Sequence, residues 1–103
     1  MEWVGFDNGA TIGKIGSESG MIIQDSEHPL GARITLERGG NIAPYSITCG
    51  VYGCMCHTRF FSTESEAVSE FNLMATALDS ILQASTTGDS LIDDVGKFVE
   101  EFP

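Results

Sequence analysis

The spacing of apolar residues changes period at Ser62, and that switch limits the possible folds more than any other feature of this chain. Before it, short apolar runs alternate with polar residues and are cut by glycine-bearing turns. After it, apolar residues recur at three- and four-residue steps. Alternation puts every second side chain on one face of a strand, whereas helical spacing builds a stripe along one side of a cylinder. Strands followed by helices predict one α+β domain over 1–103. It comprises an antiparallel meander of five or six strands over 1–61, a long helix over 63–84 packed on it, and a shorter C-terminal helix over 91–102.

Within the first part, Asp7-Asn8-Gly9 sits between Glu2–Phe6 and Ala10–Ile15. Asn-Gly tolerates the positive φ of a tight turn, so these two runs are expected to form a hairpin. Met21–Gln24 and Ala32–Glu37 read as strands joined by a polar loop over 25–31, with Ala32, Ile34 and Leu36 facing a core while Arg33, Thr35 and Glu37 face away. Ile42–Cys49 follows, with Pro44 near its start. Gly50–Gly53 would be a hairpin loop. In the next run, Cys54, Cys56, Thr58 and Phe60 share one face, and Met55, His57, Arg59 and Phe61 share the other. The first set is assigned to the core, because burying Arg59 without a partner is costly. Val51, Met55 and Phe61 would then form a partly apolar outer face, the type of surface that serves as a homodimer contact.

Ser62 or Thr63 can cap the free amides of a helix start, Glu66 stands three residues after Thr63 at the spacing of a capping box, and the early glutamates favour the positive end of a helix dipole. Ala67, Phe71, Met74, Ala75, Leu78, Ile81 and Leu82 then make one stripe, and Leu91, Ile92, Val95, Phe98, Val99 and Phe102 a second. A polar break over 85–89 separates them, with Gly88 supplying turn freedom and Asp89 or Ser90 a cap. The expected core is Tyr45, Ile47, Ile34, Leu36, Cys54, Cys56, Phe60, Phe71, Met74, Leu78, Ile81 and Leu82.

Charge is distributed as unevenly as hydrophobicity. The chain carries a formal −10, of which −8 falls after Ser62, where Lys97 is the only base. Such a balance repels phosphate backbones and anionic headgroups, so no nucleic-acid or membrane partner is expected. No apolar run approaches the roughly 20 residues of a membrane span. The first residues have no basic, apolar signal pattern, and three cysteines are too few for a disulfide framework, so the expected location is the cytoplasm.

Chemistry-bearing residues are sparse. Cys54, Cys56 and His57 are the candidate metal ligands, but a strand puts Cys56 and His57 on opposite faces, and the spacing is not that of a zinc knuckle. Small core thiols are the simpler reading. His28, His57 and Arg59 are candidates for a polar site in a small hydrolase or ligand-binding protein, since a histidine beside a carboxylate can act as a base. No cofactor motif is present in the glycine spacing. The expected function is a noncatalytic interaction module of inhibitor or immunity type. Glu66, Glu70, Asp93, Asp94, Glu100 and Glu101 would engage a basic protein partner.

Overall fold

The computed structural model describes residues 2–85 and 88–103, the side chains at 88 and 89 aside. Five strands form one antiparallel sheet in chain order: β1 (Val4–Gly5), β2 (Met21–His28), β3 (Ala32–Arg38), β4 (Tyr45–Val51) and β5 (Met55–Phe61). Two helices follow, α1 (Glu64–Ala84) and α2 (Gly88–Glu101). The α+β meander carrying one long and one shorter helix is therefore the observed architecture.

Helix α1 starts where the sequence predicts. Thr63 is extended, and its hydroxyl accepts the backbone N–H of Glu66 at 3.3 Å, satisfying one of the unpaired amides of the first turn. Ala67, Phe71, Met74, Ala75, Leu78 and Leu82 are buried along one side. They pack on the sheet face formed by Ala32, Ile34 and Leu36 of β3 and Ile47, Cys49 and Val51 of β4. Helix α2 adds Val95, Phe98 and Phe102 to the same core. Gly96 lowers the intrinsic stability of α2 by about 1 kcal/mol relative to alanine. Fully burying a phenylalanine such as Phe98 contributes about 1.5–3 kcal/mol, so docking outweighs the local cost. The cap expected at Asp89 lies outside the described residues.

Three expectations for the strands need correction. Asp7 and Asn8 do take positive φ, 49° and 55°, but Phe6–Gly9 is a tight 3-10 turn rather than the tip of a hairpin. Val4 and Gly5 pair instead with Glu27 and Ser26 of β2. Downstream, only Ile15 makes a bridge, to Met21. The segment is drawn over the sheet face opposite the helices, where Phe6 stacks under the Arg33 guanidinium at 3.6 Å and Thr11 donates to Asp25 at 2.8 Å.

Strand β2 also runs on to His28, through residues the sequence assigns to a polar loop. Asp25 and His28 tolerate burial there because side chains from β3 and α1 meet their polar atoms. A bulge between Ile22 and Gln24 reverses the parity of the strand, so Ile22 lies opposite Glu37 while Gln24 lies opposite Leu36.

The third correction is the face of β5. Arg59 is opposite Ile47 and His57 is opposite Cys49, both core residues, so the odd-numbered side of β5 is the one beneath the helices. Phe61 is buried, whereas Cys56 is exposed and Phe60 is 42% exposed. Cys56 and Phe60 therefore leave the predicted core, Cys54 stays at its margin, and Val51, Met55 and Phe61 are not an outer face. Burial of Arg59 is tolerated because α1 and the C-terminal segment supply partners for its guanidinium.

Candidate functional site

Arg59 enters the helix-covered side of the sheet with partners for its guanidinium. Nη1 donates to Glu70 at 2.8 Å and lies 3.5 Å from the Met74 sulfur, and Nε donates to the Pro103 carbonyl at 3.2 Å. The rings of Phe61 and Phe102 lie within 5.0 and 5.5 Å of the cation. His57, two residues earlier on the same face, uses Nε2 to donate to the Phe102 carbonyl at 2.5 Å. Both side chains thus clamp the end of α2 onto the sheet. Carbonyls at a helix C-terminus lack intrahelical donors, which is why a histidine and an arginine fit there.

His28 occupies a separate place. It projects from β2 towards α1, fully buried, with its Nδ1 accepting the Leu30 N–H at 3.1 Å and its Nε2 at 2.7 Å from Asp79 Oδ1. With Nδ1 in use as an acceptor, the ring proton belongs on Nε2 and is donated to Asp79. Trp3 closes the ring edge-on at 5.1 Å and anchors itself by donating to the Ala75 carbonyl at 3.0 Å. The hydrogen bond from His28, outweighing the smaller effect of burial, holds the Asp79 carboxyl below its usual range.

The structure therefore does not bring His28, His57 and Arg59 into one cleft. Two strands intervene between β2 and β5, and at the usual strand spacing the two histidines are separated by about 14 Å. Cys54, Cys56 and His57 do not converge on one point either. Cys56 and His57 point to opposite faces, and all three cysteines are free thiols. Burial pushes the Cys49 thiol up to about 12, so it is inert at neutral pH.

One grouping with metal-ligand types does occur among the described residues: Glu2, His28 and Asp79, whose ligand atoms lie within 4.8 Å of one another. An ion on His28 Nε2 would force the ring proton to Nδ1, directly facing the Leu30 N–H. That arrangement favours a hydrogen-bonded lock between β2 and α1 over a cation site. Nothing in the sequence pairs His28 with Asp79, 51 residues on; only the fold does so.

The acidic candidates divide into two groups. Glu70 is engaged with Arg59, and Asp94 accepts the Ser85 hydroxyl at 3.1 Å. Glu66, Asp93, Glu100 and Glu101 are exposed and make no ion pair with the described residues. They project from the helical layer, where Lys97 is the only base. No protein-family model, no curated protein and no solved structure matches this chain.

Proposed function

We propose that the protein is a noncatalytic binding module whose helical layer engages a basic protein partner. The observation carrying this reading is a contrast in how polar side chains are used. His28, His57 and Arg59 are committed to contacts that hold the fold together, whereas four helical carboxylates face water without a counter-ion among the described residues. A catalytic base needs a free nitrogen within reach of a substrate proton, and an electrostatic docking face needs uncompensated charge. His28 has both ring nitrogens engaged and does not meet the first condition, whereas the four carboxylates meet the second. Three free thiols fit a working location in a reducing compartment such as the cytoplasm. No helix among the described residues is long and apolar enough to cross a membrane.

The test neutralises the four free carboxylates together, as Glu66→Gln, Asp93→Asn, Glu100→Gln and Glu101→Gln, leaving Glu70 and Asp94 in their internal contacts. Wild-type protein should retain a basic partner at about 0.05 M salt and release it near 1 M, where the Debye length falls to about 3 Å. The quadruple variant should fail to retain it at either salt concentration. Retention unaffected by neutralisation, or a partner that is not basic, would remove the acidic layer from the interface.

A further inference from the structure

The sheet face opposite the helices is covered over only part of its width. Two buried carboxylates fasten the N-terminal segment to it. Asp25 accepts from Thr11, Arg33 and Thr35, and Glu37 accepts the backbone amides of Glu18 and Gly20 at 3.1 and 3.0 Å. Gly16 has no side chain because Glu37 occupies the space: a Cβ there would lie 2.5 Å from its carboxyl carbon. Between this segment and the β4–β5 hairpin a recess of about 450 Å³ remains. That volume is in the range, about 300–1,000 Å³, of pockets that hold small organic ligands.

The floor of the recess is the surface of paired strands. Thr35, Thr48 and Gly50 belong to it, and Gly50 adds no side chain. Ile22, turned to this side by the β2 bulge, and Tyr52 and Cys56 from the hairpin line the sides. The polar atoms of these residues are almost all in use already. The Thr35 hydroxyl donates to Asp25, the Thr48 and Thr58 hydroxyls meet at 3.3 Å, and the Tyr52 hydroxyl donates to Glu27 at 2.7 Å. Arg33 is cancelled by Asp25 through Nε and Nη2. Its Nη1 has no partner among the described residues and, on a side chain about 35% exposed, remains available as one donor.

An anionic ligand would lose its hydration here and find no uncompensated cation, and a cationic one would find only Glu37, which lacks a counter-ion but whose buried carboxylate is already enclosed by the amides of Glu18 and Gly20. A planar, uncharged body would instead remove water from the floor and the Tyr52 side of the recess and could place one acceptor oxygen against Arg33 Nη1. We infer that this recess is a binding site for a small, planar, uncharged molecule carrying one hydrogen-bond acceptor such as a carbonyl. It contains none of His28, His57 or Arg59, and it lies across the sheet from the acidic helices, so either site can fail without the other.

The probe is prodan, an uncharged naphthalene ketone whose emission shifts to the blue in apolar surroundings, with anionic anilinonaphthalene sulfonate as comparator. Prodan should bind with one saturable site below about 100 µM, and the sulfonate about tenfold or more weaker. Cys56→Trp, a substitution at an exposed position that fills the recess, should weaken prodan binding about tenfold or more without lowering the melting temperature. Phe60→Ser, on the same sheet face outside the recess, should leave binding unchanged. In the unmodified protein, prodan should also slow alkylation of Cys56 by iodoacetamide, read by mass spectrometry. Absence of saturable binding, equal affinity for the sulfonate, binding indifferent to Cys56→Trp in a folded variant, or no protection of Cys56 would each overturn the assignment.

Discussion

At the scale of single residues, Asp25 shows how this fold accommodates a buried acid. Burial alone pushes its carboxyl upward, but hydrogen bonds from Arg33, Thr11 and Thr35 outweigh that and leave its pKa below the ordinary carboxylate value of 3.8. A depressed folded-state value means that the ionised form stabilises the protein above the unfolded pKa. That contribution disappears as pH falls through the lower folded value. Asp25→Asn should therefore cost about 2 kcal/mol at pH 7, a figure reduced from that of a fully buried pair because Arg33 is partly exposed. Urea unfolding at neutral pH and again well below pH 3.8 measures this. The gap between variant and wild type should narrow at the acidic end, and a constant gap would show that the charge on Asp25 contributes nothing. Among the buried side-chain polar atoms of the described residues, the Ser46 hydroxyl on β4 is the one without a partner.

At the scale of elements, α2 is the least self-sufficient. Its stripe of Val95, Phe98 and Phe102 was legible from spacing alone, and so was the long stripe of α1, because helical period survives whatever the helix packs against. Gly96 sits on the exposed side of α2, and an added Cβ meets nothing within 4 Å. Gly96→Ala should consequently stabilise the protein by about 0.5–1 kcal/mol, seen as a higher thermal midpoint with the fold unchanged. A lower midpoint would mean that the glycine serves a contact outside this chain. Strand β5 buries the face opposite to the one its sequence suggests. Alternation divides its residues into two faces but does not say which is inner, and a lone arginine looks unsuited to a core. The partners that make Arg59 acceptable, Glu70 and the Pro103 carbonyl, lie 11 and 44 residues away in sequence.

At the scale of the whole molecule, the two sides of the sheet have different characters. One side carries the helical layer and its outward carboxylates; the other carries the N-terminal segment and the recess. A formal −10 on 103 residues imposes self-repulsion that mobile ions relieve. Raising potassium chloride from about 0.02 M to 0.5 M should therefore raise the melting temperature by about 4 °C, which for a domain of this size corresponds to about 1 kcal/mol. A midpoint that falls with salt would mean that the Arg33–Asp25 and Arg59–Glu70 pairs outweigh the repulsion.

Periodicity, capping residues and composition were enough to give the class of fold, the succession of sheet, long helix and short helix, a cap at Ser62 or Thr63, and the acidity of the helical layer. Period, capping and net charge are local properties or sums over local ones. Contacts in three dimensions set which face of β5 is buried, that Asp25 and His28 belong to a strand, and that the Asn-Gly turn leads into a segment lying over the sheet. Each of those outcomes depends on a partner far along the chain. The energy of burying a polar group is set by what meets it in space, which spacing along the backbone does not encode.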